Sequence, residues 1–378
     1  MKLKPKILIF VDWFVPGYKA GGPIRSCVNL AYALRSQYDI YVLTSNKDFG
    51  ALEPYEGIDV DKWVHFDEGI QVCYLSTKKK TLKNIGSKIK EINPDFIYLN
   101  GMYSIVYTFY PLLLNKGNKA KVFLTPRGVL QSGAMQYKTL KKRFYLAILN
   151  LLGLSKKIFF HATDEQEKKD ILKYLSTFPS RIKVIPNFSS PSVQVIKPIK
   201  KTNLLKLVFI SRISPKKNLH FFLLQLKEIT SKIQFNIYGP IEDGYWKKCE
   251  EVIKELPSSI EVNYHGELIH SEVGTTLEQN HFFVLPTHGE NFGHAIFESF
   301  AVGRPVVISD KTPWRDLETK KIGWDIPLSQ SDYYVKVINQ AAKMDQEEYD
   351  QWSKESWLFG KNYAKSAGLT EKYIELFK

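Results

Sequence analysis

One pattern, met twice, restricts what this chain can fold into. Residues 6–11 (KILIFV) read as a short buried strand, and residues 12–23 as a long turn carrying Gly17, Gly21, Gly22 and Pro23. Residues 24–34 then set Val28, Leu30, Ala31 and Leu34 at helical spacing. Near residue 206 the pattern restarts, with a strand over 206–210 (KLVFI), a turn over 211–217 and a helix beginning near 218. A strand, a turn and a helix in that order form the first unit of a doubly wound sheet, whose strands need helices on both faces. Two such starts in 378 residues predict two α/β domains. The first turn lacks G-x-G-x-x-G, so it carries no dinucleotide fingerprint.

Further strands are expected at 40–44, 72–75, 94–101, 121–125, 158–163 and 184–188 in the first half, and at 235–240, 262–267, 281–285 and 305–310 in the second. Residues 46–70 form a polar excursion. Helices are expected over 104–114 and 136–152, and Asp164, Glu165, Gln166 and Glu167 open another as a capping sequence would. The domains are therefore 1–188 and 204–355, joined by a Ser-, Pro- and Lys-containing linker at 189–203 and followed by a helical tail at 356–378.

The net charge of +14 is unevenly placed. Residues 1–200 hold 31 basic and 15 acidic side chains, whereas the remainder holds 22 and 24. No acid falls between Asp95 and Asp164, an interval containing Lys116, Lys119, Lys121, Arg127, Lys138, Lys141, Lys142, Arg143, Lys156 and Lys157. Such a surface is either simply solvated or drawn to anionic lipid headgroups. Residues 136–152 read as a basic amphipathic helix, which either lies on a membrane or flanks a sheet. No nucleic-acid module accompanies the charge, so no nucleic acid partner is expected. Cys27, Cys73 and Cys249 are scattered and point to a reducing, cytoplasmic setting. The apolar start is broken by Asp12 and reads as a strand rather than a signal peptide. No apolar run reaches the ~18 residues that span a bilayer.

Chemistry concentrates between residues 281 and 301. The run His281 to Leu285 ends at Pro286, a turn follows over 287–293, and a helix starts near His294. A strand that passes through a Gly-containing turn into a helix directs backbone amides and the positive end of the dipole at one place, which suits an anion. Glu290 lies in the turn and Glu298 about two turns into the helix, at most ~12 Å apart along the axis. That spacing fits two ends of one elongated, hydroxyl-bearing ligand better than the paired acids of a glycosidase. In an open sheet, ligands also collect beyond the carboxyl ends of strands, where Asn100 and Arg127 fall. No histidine shows metal-ligand spacing, so no metal is expected.

Glu290-x7-Glu298 with Phe292-Gly293 after the first acid, followed by Gly303-Arg304-Pro305-Val306-Val307, resembles the signature of the retaining, nucleotide-sugar-dependent glycosyltransferases of family 4. Arg212 and Lys217, with Lys216 as an alternative, resemble that family's second signature. The resemblance implies the GT-B fold, two Rossmann-like domains facing across a cleft, with the last helix crossing back to brace the first domain. It implies that Arg212 and Lys217 grip the donor diphosphate. Glu290 with the turn Asn291, Phe292, Gly293 and His294 would hold the donor sugar, and Glu298 the ribose hydroxyls. The loop from His265 through Gly266 to Ile269 matches the family's nucleobase contact region, and Gly239, in the turn after residues 235–238, is also among the implied donor-binding residues. Gly21 or Gly22 would let the backbone approach the pyrophosphate. The loop at 312–314 would face the cleft. Arg127 stands where many members carry His. A guanidinium stays protonated, so it would stabilise a phosphate or hold an acceptor rather than act as a base. Thr125-Pro126-Arg127-Gly128 resembles a subgroup used in surface-polysaccharide assembly.

The function implied is transfer of a sugar from a UDP- or GDP-linked donor to an acceptor hydroxyl, on a glycan or lipid-linked saccharide, with retention of configuration. It would use no cofactor beyond the nucleotide sugar as co-substrate, and would work in the cytoplasm or at the inner face of the plasma membrane. A GT-B epimerase and a non-catalytic nucleotide-sugar or membrane-surface binding protein remain as alternatives.

Overall fold

The computed structural model describes residues 4–115, 120–135, 139–187, 198–242, 244–366 and 368–378. Lys116, Lys119 and Lys138, and residues 188–197 of the first domain's end and the linker, lie outside them. The chain divides into two compact units, Met1–Phe188 with Gly368–Lys378, and Ser189–Ala367.

The first unit is built on β1 (Lys6–Val11), β2 (Asp39–Ser45), β3 (Trp63–Asp67), β4 (Ile70–Leu75), β5 (Phe96–Asn100), β6 (Lys121–Thr125), β7 (Phe159–Ala162) and β8 (Ile182–Val184). They lie in the order β3-β4-β2-β1-β5-β6-β7-β8. Every pairing is parallel except β3 with β4. The central strand β1 is almost wholly buried, as a strand covered on both faces must be. β3 falls inside the stretch expected to be a polar excursion. It is a half-buried edge strand, reached by a hairpin whose Gly69 has φ 71°, so its apolar signal is diluted. The helix expected at 104–114 is divided into a wide turn, Ile105–Phe109, and a short helix, Tyr110–Leu114.

The helical tail is in two parts. Gln346–Ser366 belongs to the second unit, and Leu369–Leu376 to the first, with Gly368 at φ 48° before it. In the first unit the Tyr373 hydroxyl donates to the Pro186 carbonyl (3.1 Å), and the Phe377 ring lies against Tyr38, Phe96, Tyr98 and Phe123.

The second unit has β9 (Leu204–Ile210), β10 (Lys232–Tyr238), β11 (Ile260–Tyr264), β12 (Phe282–Leu285), β13 (Val306–Ser309) and β14 (Gly323–Ile326), in the order β11-β10-β9-β12-β13-β14. All pairings are parallel. The chain winds outward on one side of β9 and then on the other, so the direction reverses between β9 and β12. Ligands of doubly wound sheets bind at such a reversal. Arg304 is fully buried beside this sheet. Its guanidinium donates to the Leu277 and Glu278 carbonyls at the end of helix His270–Glu278, where a cation opposes the negative dipole end. The end of the expected linker is anchored: Lys200 is buried, donates to the Ala342 and Met344 carbonyls, and burial brings its pKa down to about 8. The loop at 312–314 packs inward. Trp314 is buried among Phe292, Phe297 and Phe300, and its indole donates to the Phe292 carbonyl at 2.6 Å.

Candidate active site

The loop after β9 turns at Ser214, whose carbonyl accepts from the Lys217 and Asn218 amides at 3.0 and 3.2 Å. Asn218 sits at φ 59°, a left-handed conformation its side chain tolerates, and helix Leu219–Leu226 begins after it. Because β12 pairs with β9, the turn after β12 arrives beside this loop. The His288 amide (2.8 Å) and Thr287 hydroxyl (3.1 Å) both donate to the Lys216 carbonyl. The Glu290 amide donates to the Lys311 carbonyl beyond β13 at 2.9 Å. Three strand ends thus fix the acidic turn, and they bring residues 73 positions apart into an ion pair, Lys217 Nζ with Glu290 Oε1. Their side chains are only 14% and 12% exposed.

Burial works against ionisation of Glu290, but the charges of Lys217, Lys216 and Arg212 outweigh it and hold the carboxyl below its ordinary pKa. Arg212 itself makes a half-exposed pair with Glu242 at 3.2 Å. Three cations acting on one carboxylate form a place where an added dianion is welcome.

Beside it, the ends of β9, β10 and β11 close tightly. The Gly239 amide donates to the Gly266 carbonyl at 2.7 Å, and a Cβ on Gly239 would fall 1.9 Å from the Ser211 carbonyl oxygen. Gly239, at φ 138°, therefore admits no side chain. The His265 ring stacks on Tyr238 with centroids 4.6 Å apart and meets Asn236 Oδ1 at 2.9 Å. Glu298 pairs with His270 Nε2 at 2.9 Å. Gly293, at φ 75°, caps helix His294–Ala301, which puts the amides of the turn at the positive end of its dipole. The Phe292 ring is buried, so only its backbone is available to a ligand, while Asn291 and His294 are half-buried on either side.

Arg127, Gly21 and Gly22 belong to the first unit. Gly21 has φ 66° ahead of helix Gly22–Leu34. Arg127 has φ 58°, and its guanidinium donates to Asn100 Oδ1 (2.8 Å), the Tyr98 hydroxyl (3.1 Å) and Asn187 Oδ1. The chain of bonds continues inward. Since His161 Nε2 faces the Ile185 carbonyl (2.8 Å) and must donate to it, Nδ1 accepts from the Tyr98 hydroxyl (2.7 Å). Burial and the Arg127 charge lower the His161 pKa to about 3.

The motifs did not point to Thr287, His270 or Tyr238. Thr287 is fully buried and His270 lies 28 residues from Glu298, so only tertiary contacts reveal them. A second polar group at the ends of β1 and β2 was also missed: the Ser104 hydroxyl donates to Asp12 (2.7 Å) and Lys80 Nζ to the Ser45 hydroxyl (2.8 Å). Burial raises the Asp12 pKa and lowers that of Lys80.

Residues 194–357, most of the second unit, match the family described as Glycosyl transferases group 1. A 2-deoxystreptamine N-acetyl-D-glucosaminyltransferase of Niallia circulans is 30% identical over 126 residues, 32% of this chain and 32% of that relative. The match thus spans about a third of the relative's length. HepE of Anabaena in complex with UDP and glucose is similar in structure, with a TM-score of 0.72 at 14% identity and 98% of each chain covered. Sucrose-phosphate synthase of Thermosynechococcus elongatus gives 0.73 at 15% identity, covering 99% of this chain and 98% of that one. At these identities the likeness is one of fold: the chain has the GT-B fold of two Rossmann-like units.

Proposed function

We propose that this chain is a retaining glycosyltransferase that moves a sugar from a UDP- or GDP-linked donor to an acceptor hydroxyl. The observation that carries the reading is the meeting of Arg212, Lys217 and Glu290 at the reversal point of the second sheet. Support comes from the family match over the same unit and from relatives whose names specify sugar transfer or a UDP complex.

In this reading Lys217 and Arg212 neutralise the diphosphate as it departs, and the amides at the start of helix His294–Ala301 add partial positive charge. Glu290, kept ionised, accepts from hydroxyls of the donor sugar and sets its orientation. Glu298, with His270 beside it, accepts from ribose hydroxyls, and the stacked His265 and Tyr238 lie towards the base. The bond from the anomeric carbon to the diphosphate oxygen breaks as the bond to the acceptor oxygen forms on the same face, and the acceptor proton passes to the leaving phosphate. No metal ion is needed where protein cations already balance the leaving charge. The acceptor, a glycan or lipid-linked saccharide of cell-surface polysaccharide synthesis, belongs to the first unit. Work there places the protein in the cytoplasm, against the inner face of the plasma membrane.

A thermal-shift panel of UDP- and GDP-sugars tests the donor, since a ligand that binds only the folded state raises the melting temperature with its concentration. Release of nucleoside diphosphate with glycan and lipid-linked acceptors, and NMR of the product's anomeric centre, test the reaction. Binding without turnover for any acceptor, or an inverted product, would sink it.

A further inference from the structure

Helix Thr139–Leu151 of the first unit is apolar on two opposite faces. Leu146 and Leu149 are buried against the unit's core. On the far side Leu140, Phe144 and Leu151 are 83%, 70% and 87% exposed. At 3.6 residues per turn these three and Ala147 fall within an arc of about 60°, centred opposite Leu146 and Leu149. Single exposed apolar residues are ordinary, but a stripe of large ones along one helix marks a surface that something covers.

We propose that this stripe is the face by which the protein lies on an anionic lipid bilayer. The flanking charge identifies the occupant. Exposed Lys141 borders the stripe on one side and exposed Arg143 on the other, with Lys156 and Lys157 exposed just beyond the helix end. No acid occurs in sequence from residue 96 to residue 163. Long basic side chains beside an apolar stripe reach headgroup phosphates while the stripe enters the acyl boundary. A helix of 13 residues laid flat offers an edge about 20 Å long. A second copy fits worse, because a contact along the stripe would bring two identical basic borders together with no acid among the residues of this helix to offset them. This face gives a structural form to the membrane contact implied above, and it does not depend on the transfer reaction.

The test is co-sedimentation of the full chain with vesicles of phosphatidylcholine containing about one third phosphatidylglycerol, and with phosphatidylcholine alone. The wild type should bind the anionic vesicles, more weakly as salt rises. Leu140→Ser/Phe144→Ser/Leu151→Ser should lower that binding by at least about tenfold, and Lys141→Glu/Arg143→Glu by several-fold. Both variants should keep the melting temperature and the thermal shift produced by nucleoside diphosphate, which separates loss of docking from loss of folding or of donor binding. Unchanged vesicle binding in the triple variant would overturn the proposal, as would equal binding to the neutral vesicles or no binding at all. Self-association that the triple variant abolishes, without vesicle binding, would assign the stripe to a second copy instead.

Discussion

The two units solve the problem of a buried cation in different ways. In the first, the Arg127 guanidinium donates to the neutral acceptors Asn100, Asn187 and Tyr98, in a network that runs on to His161. The charge of the buried Glu167 acts on it without a direct ion pair among the described contacts. In the second, Lys217 meets a carboxylate, with Lys216 and Arg212 acting on the same acid. A cation satisfied by amides and a phenol has its donors committed to one geometry, which stabilises the strand ends it joins. A lysine paired with an acid in the presence of further cations retains capacity, since an ammonium has three donors and the surplus charge welcomes an anion. At the carboxyl end of a strand in each unit, one cation thus has its donors committed and the other keeps capacity for an anion.

The largest effect should come from the acid of the second unit. Glu290→Gln keeps the shape and removes the charge, and should cut transfer by ~100-fold or more while leaving nucleoside-diphosphate affinity within a few-fold. Full activity in this variant would break the distinction between the units. Lys217→Met should weaken both diphosphate binding and transfer by ~10-fold or more, and Arg212→Ala, whose partner is half exposed, by less. Isothermal titration with UDP and GDP, compared with turnover, separates the two contributions.

Arg127→Met should act on stability, leaving Asn100, Asn187 and Tyr98 without their donor at a cost of ~2–3 kcal/mol in urea unfolding. If the variant melts like wild type and yet loses transfer, Arg127 belongs to the chemistry and the contrast fails. The pH dependence sharpens the same point. His161 is held neutral, its pKa lowered to about 3, so the unfolded chain binds the proton more readily. Its contribution to stability is whole above the ordinary pKa of 6.5 and is lost as pH falls towards about 3. His281 in the second unit, lowered to about 4 by burial, has the same sign over a narrower window. Melting curves across this range should show His161→Gln losing less stability on acidification than wild type. The smallest expected effect is none at all: a chelator should leave turnover unchanged, and its complete loss would give a metal ion a part in the reaction.

Much of the architecture was legible from local pattern. Apolar runs such as 206–210 have few alternatives to a covered parallel strand, and the turns that follow them announce helices. β3 and β14 escaped because an edge strand with half-exposed residues and a four-residue strand beginning at Gly323 carry too little apolar signal. The tail read as one helix because its periodicity continues in sequence, while Gly368, in a left-handed conformation, ends that run. The loop at 312–314 was expected to face the cleft, but a side chain as large as Trp314 finds its energy in the aromatic cluster around Phe292.

The sequence by itself determined two doubly wound units, the carboxyl ends of their strands, and which residue types stand there, since each follows from periodicity within a few turns of chain. Tertiary structure alone decided that Lys217 reaches Glu290, that His270 reaches Glu298, and that Arg127 donates to Asn100, Asn187 and Tyr98. Those pairings join positions 27 to 73 residues apart. They form only when parallel register brings distant strand ends together, and no local propensity encodes that register.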